Sequence, residues 1–177
     1  MATSKNLIIN YKKNTFVPTG TSDLLVETIK KKLKIKGDVL DLGAGSGYVG
    51  IKLLSLFKDK FNLFASDIGR TATQIIKSNA KINKKDIIVR TGSLFKPWKN
   101  YKFDFILNDV SGISEDVAKI SPWFKDVSCK SGKDGTKLTI QIIKESKNFL
   151  SKKGVICFPI LSFANENKVL ENVKKNF

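Results

Sequence analysis

Two aspartates flank a run of glycines in this chain. Asp41 stands just ahead of Gly43-Ala44-Gly45-Ser46-Gly47, and Asp67 follows Gly47 by 20 residues. Glycines between a strand and a helix let the backbone approach a ligand at the helix N-terminus. Gly45, Gly47 and Gly50 also satisfy the G-x-G-x-x-G spacing of dinucleotide sites. A carboxylate at the end of the next strand, where Asp67 falls, can accept hydrogen bonds from ribose hydroxyls. A nicotinamide dinucleotide and S-adenosylmethionine (SAM) both fit this much. Asp41 separates them: a carboxylate beside the glycines repels a pyrophosphate but suits the ammonium and sulfonium of SAM. The alternative is a tight strand–helix turn without a ligand.

A second polar group ends the apolar run Phe103-Asp104-Phe105-Ile106-Leu107: Asn108, Asp109, Val110 and Ser111. A strand ending in an amide, a carboxylate and a hydroxyl can deliver them to a site. The competing reading is an Asx-type turn at the strand end, which Asn and Asp commonly form. The chain has no histidine, so the usual base near neutral pH is missing. Methyl transfer suits this composition, because an in-line displacement on a sulfonium needs a positioned nucleophile more than a strong base. Trp98, Trp123 and Phe124 are candidates for an aromatic wall against a planar substrate, although aromatic residues are more often core.

These groups must be positioned by regular elements. Apolar spacing and glycine punctuation predict helices over 22–33, 48–57, 71–83, 136–150 and 165–177, with Ser22 or Asp23 capping the first. They predict strands over 37–43, 61–67, 86–92, 103–109 and 154–161. Strand and helix alternate, which implies an α/β fold with a doubly wound, mainly parallel sheet of about five strands. Ligands of such sheets bind at the carboxyl ends of the strands, where both aspartates and Asn108 fall. Residues 110–135 form the longest irregular connection, and loops of that length are often functional. A chain of 177 residues fits one domain over 1–177, with 1–15 as an N-terminal extension.

The bulk composition narrows the setting. No apolar run approaches the ~20 residues of a membrane span, and the first residues lack a signal-peptide pattern, so a cytoplasmic protein without a membrane partner is expected. Cys129 and Cys157 fit no metal spacing, and no metal is expected. The net charge of +16 admits a polyanionic partner such as RNA. Yet Arg70 and Arg90 are the only arginines among 32 basic residues. Solvated lysine faces explain the charge equally well, since nucleic-acid sites favour the bidentate guanidinium.

Beyond single motifs, the chain resembles the HemK-like branch of class I SAM-dependent methyltransferases, which modify a glutamine side-chain amide. The resemblance runs from about residue 16 to 160 through "FVPTGTSDLLVETI", "VLDLGAGSG", "ASDIGRTATQIIKSNAKIN", "RTGSLFKPW" and "SGKDGTKLTIQIIKESKNFLSKKGVICF". The related small-domain RNA methyltransferases share much of it. It implies a Rossmann-like sheet and SAM as cofactor, held by Thr19, Thr21, Asp41, Gly43, Ala44, Gly45, Gly47, Asp67, Ile68, Ser93, Leu94 and Asn108. Asn108, Asp109 and Ser111 are the implied catalytic positions. The methyl acceptor is then a nitrogen, or secondarily an oxygen, on a protein, RNA or small molecule. Three departures stand out. Ser93 replaces the family's acidic reader of adenine. The family's "NPPY" becomes Asn108-Asp109-Val110-Ser111, which also admits a SAM-binding or partner-binding module without catalysis. A C-terminal β-hairpin is expected after the last helix and is missing from this sequence.

Overall fold

The computed structural model describes residues 7–13, 15–110, 112–124, 127 and 129–177. Five parallel strands form one sheet in the order β3-β2-β1-β4-β5: β1 (Gly37–Leu42), β2 (Phe61–Asp67), β3 (Ile87–Thr91), β4 (Phe103–Asn108) and β5 (Leu150–Cys157). The helices are α1 (Gly20–Lys32), α2 (Tyr48–Leu56), α3 (Arg70–Ile82), α4 (Glu115–Ile120), α5 (Lys137–Ser146) and α6 (Glu166–Asn176). Parallel strands need helical crossovers, so both faces of such a sheet are buried.

Alternation along the strands sorts side chains onto two cores. Val39 and Leu63 face the α1–α2 side with Leu25, Val26, Ile29 and Leu53. Leu40, Leu42 and Phe64 face the other side with Phe95, Trp98 and Ile142. In this second core Trp98 and Tyr101 meet Phe64 edge-on, and the Arg90 guanidinium lies over both rings at 4.8 and 4.7 Å. Arg90 also donates to the Pro97 carbonyl and the Tyr101 hydroxyl, each at 2.7 Å. One of the two arginines is therefore held inside the fold by cation–π and hydrogen-bond contacts.

Several boundaries differ from the sequence reading. Helix α1 begins at Gly20 with Thr19 as its cap, so Ser22 is a buried residue of the first turn rather than the cap. That frees its hydroxyl for a partner far away in sequence. Helix α5 stops at Ser146 because Phe149 turns in to stack on Phe95, 4.5 Å between ring centres. Strand β5 starts at Leu150, not at Gly154. The pairing skips from Phe103↔Leu150 to Phe105↔Val155, and the bulge takes up the intervening residues. A Cβ on Gly154 would sit 2.8 Å from the Phe103 carbonyl, so the glycine marks that close approach rather than a strand start. The long connection after β4 contains α4, capped by the Ser114 hydroxyl, which accepts from Val117 N–H.

The N-terminal segment is bound, through asparagine side chains. Asn83 Oδ1 accepts the Ile8 N–H at 3.0 Å and its Nδ2 donates to the Ile8 carbonyl. Asn79 pairs with Asn10 in the same two-way manner. Each carboxamide offers one acceptor and one donor pair, the groups a neighbouring strand would present. Asn79, fully buried, also donates to the Ser46 carbonyl at 2.9 Å.

Candidate functional site

The carboxyl ends of β1, β2 and β4 open into one cavity of about 480 Å³. Its floor is the turn after β1. Gly43, Gly45 and Gly47 all take left-handed backbone angles, with φ of 68°, 55° and 78°, which non-glycine residues adopt only at a cost. Ala44 N–H donates to the Ser66 carbonyl and Gly45 N–H to Asp67 Oδ2 at 3.0 Å. The other oxygen of Asp67 accepts from Gly69 N–H at 2.8 Å. The carboxylate at the end of β2 thus fixes the glycine turn and the start of α3 together.

Asp41 sits under the same turn. It points to the α1–α2 face, where an apolar residue would otherwise pack, and is 2% exposed. Its Oδ2 accepts from Gly50 N–H at 2.9 Å. Gly50 lies in the first turn of α2, whose cap, Gly47, has no side chain. Asp41 therefore satisfies a free helix N–H from the neighbouring strand, as an N-cap side chain would. Burial pushes its carboxyl up to about 7; the Gly50 N–H opposes this, and the charges of Asp109 and Asp67 add to it.

A pH dependence follows. The folded-state value lies above the ordinary 3.8, so the folded protein holds more protons in that window. Stability contributed by this group falls as pH rises from about 4 to about 7. Asp41→Asn keeps an acceptor for Gly50 and removes the titration. Between pH 5 and pH 8 the variant should gain on the parent by on the order of 2–3 kcal/mol, measured by urea denaturation without ligand. A constant difference would exclude the assignment.

At the end of β4, Asn108 and Asp109 diverge. Asn108 is 1% exposed, and its Oδ1 accepts from Val110 N–H at 3.1 Å, closing an Asx turn. Asp109 lines the cavity, and its Oδ2 accepts from the Ser22 hydroxyl at 2.5 Å. Burial raises its pKa, against the lowering effect of the Ser22 hydrogen bond. None of the salt bridges among the described residues involves Asp41, Asp67 or Asp109. The exposed Lys130 is the one basic side chain on the cavity wall among those residues.

Of the residues singled out from sequence, Asp41, Gly43, Ala44, Gly45, Asp67, Ile68, Ser93, Leu94 and Asp109 line this cavity. Thr19, Thr21, Gly47 and Asn108 are not on its wall; Thr19 and Gly47 cap α1 and α2. Ser111 lies outside the described residues. Trp98 reaches neither solvent nor cavity: it is buried, with its indole N–H donated to Ser66 Oγ at 2.9 Å. Phe124 does reach the cavity, against Phe16 at 5.2 Å between ring centres. The Trp123 side chain lies outside what is described.

Sequence reading missed Thr15, Phe16 and Pro18, which close the cavity from the N-terminal segment, and Ser22, Ser46 and Tyr48. Ser46 had a signal, since it lies inside the glycine run. Its hydroxyl is buried, on the cavity wall, and has no hydrogen-bond partner among the described residues. Buried polar groups are nearly always paired, so this hydroxyl awaits a ligand or water. Among the described residues no group of three or more His, Cys, Asp or Glu side chains is placed to hold a metal.

Residues 17–109 match the model of the methyltransferase small domain family. The release factor glutamine methyltransferase of Aquifex aeolicus is 29% identical over 86% of this chain and 57% of its own length. A Methanocaldococcus jannaschii protein, named provisionally as a protein N5-glutamine methyltransferase, is 30% identical over 90% of this chain and 78% of its own. Among solved structures, a ribosomal protein L11 methylase from Lactobacillus delbrueckii subsp. bulgaricus superposes with a TM-score of 0.69 at 19% identity, covering 95% of this chain and 74% of that one. A 16S rRNA guanine-N2 methyltransferase of T. thermophilus gives 0.67 at 17% identity, covering 91% and 39%. The fold is thus the Rossmann-like methyltransferase sheet. The chain belongs to the methyltransferase small domain family, and the resemblance to its HemK-like members holds. It spans little more than half the length of the first curated relatives it matches. The family's cofactor is S-adenosylmethionine.

Proposed function

We propose that this chain binds SAM in the cavity beside the glycine turn and transfers its methyl group to a nitrogen on a protein, RNA or small molecule. The carrying observation is a cavity walled by three carboxylates that have no ion-pair partner among the described residues. Asp41 is buried and Asp67 and Asp109 are half-buried; carboxylates drawn away from water favour a cationic ligand, and SAM carries an ammonium and a sulfonium. A pyrophosphate at the glycine turn would meet Asp41 and Asp109, which disfavours a nicotinamide dinucleotide.

The cavity's residues fit the cofactor in kind. Ser46 offers an unpaired hydroxyl, and Asp67 has carboxylate lone pairs beyond those used by Gly45 and Gly69. Ile68 is 75% exposed at the rim, and with Leu94 it provides an apolar surface suited to a flat base. Ser93 supplies a hydroxyl for the adenine amine. When bound, SAM supplies a methyl group activated by its sulfonium. The chain's residues then orient the acceptor nitrogen, exclude water under Phe16 and Phe124, and take up a proton at the end of β4.

Calorimetry with SAM, S-adenosylhomocysteine and NAD tests this. Heat is expected from the first two and none from NAD. Silence with both SAM-type ligands would remove the proposal. A second reading, binding without catalysis, draws on the Asn108 oxygen being engaged in its own turn. Transfer of labelled methyl to components of a cell extract decides between them.

A further inference from the structure

The end of β4 says more about the acceptor than its resemblance to the glutamine-modifying enzymes does. We propose that Asp109, not Asn108, meets the methyl acceptor, and that the acceptor is an amine carried as its ammonium ion. This rests on the reading above that the cavity holds SAM.

An amide acceptor needs an oxygen to take its N–H, and in the glutamine-modifying resemblance that oxygen is the one at Asn108. The Asn108 oxygen is turned away: it accepts Val110 N–H at 3.1 Å, it is 1% exposed, and it is not on the cavity wall. That bond needs a backbone N–H at residue 110, which valine has. A proline there would have no N–H to donate, and the carboxamide oxygen would not be captured. At the cavity wall stands the Asp109 carboxylate instead. Its Oδ2 is held by Ser22, itself 1% exposed, and Oδ1 receives no hydrogen bond among the described residues. A half-buried carboxylate with one oxygen unused and no ion-pair partner among the described residues favours the arrival of a cation. An ammonium supplies the charge; an amide does not.

The same pairing completes the chemistry. The ammonium gives one proton to the Asp109 carboxylate, which exposes the nitrogen lone pair. The lone pair forms the bond to the methyl carbon as the carbon–sulfur bond breaks and its electron pair stays on sulfur. A methylammonium and a neutral thioether result, and Asp109 returns its proton to solvent. Burial, which raises the carboxyl's proton affinity, assists the first step.

Ligand-observed NMR with the chain saturated with S-adenosylhomocysteine tests this directly. The probes are N-acetyl-lysine amide and N-acetyl-glutamine amide at pH 7. The lysine probe should bind at least tenfold more tightly than the glutamine probe. Asp109→Asn, which keeps an acceptor for Ser22, should abolish that preference, and Asn108→Ala should leave it in place. Tighter binding of the glutamine probe, binding of neither, or a preference that survives Asp109→Asn would overturn the inference. Calorimetric heat with SAM in the same preparation would leave the cofactor reading standing; its absence would remove that reading instead.

Discussion

Asp67→Ala is expected to weaken SAM binding about 100-fold, close to 3 kcal/mol, when measured by calorimetry. The size follows from what the carboxylate holds. Gly45 N–H and Gly69 N–H both donate to it, so its removal leaves two backbone donors unpaired at the cavity. It also takes away the acceptor proposed for the ribose hydroxyls. Hydrogen bonds to a charged acceptor are the stronger kind. Asp67→Asn keeps an acceptor for one of the two amides but loses the charge, and should fall between the variant and the parent. Unchanged affinity in Asp67→Ala would mean that SAM does not use this end of β2.

Gly135→Ala is expected to destabilise the fold by roughly 3–5 kcal/mol, read from urea denaturation, because backbone strain and a backbone clash coincide there. The glycine has φ +71°, and an added Cβ would sit 2.7 Å from the Ile113 carbonyl carbon and 2.8 Å from Ser114 N. Both obstacles are backbone, so no side chain can swing aside. The neighbouring Asp134 is a junction. Its Oδ1 accepts from Thr136 N–H and hydroxyl, and its Oδ2 from Lys168 at 2.7 Å. Lys168 and Thr136 together pull its carboxyl down to about 2. Its carbonyl accepts from Asn165 N–H. Displacing Gly135 therefore disturbs the start of α5 and the entry to α6 together. A change below 1 kcal/mol would show that the turn adapts.

The parts whose position in the fold was legible from sequence are those encoded by neighbours. Strand β1, the glycine turn and Asp67 lie within about thirty residues, and apolar alternation, glycine spacing and strand-end carboxylates are local signals. The missed parts depend on distance or on a single missing atom. Nothing near Ile8 or Asn10 announces that side chains of Asn79 and Asn83 will hold them. The start of β5 was displaced because Gly154 looked like punctuation, whereas it makes room for the Phe103 carbonyl. Trp98 looked available as a substrate wall, yet a large aromatic flanked by Phe95, Tyr101 and Phe103 fills the core. The loss of proline at 110 was visible; its consequence, an N–H that captures Asn108, emerged only with the turn's geometry.

Asn79 ties the chain's N-terminal segment to the cavity floor through one carboxamide. Its Nδ2 donates at once to the Asn10 carbonyl and to the carbonyl of Ser46. A ligand that settles the glycine turn must tighten the same amide, and with it the pairing at residues 8–10. Local opening sets the rate at which such amide protons exchange with water. The Asn10 N–H thus becomes a remote gauge of occupancy, a proton whose lifetime lengthens when the cavity fills, although the ligand never touches it.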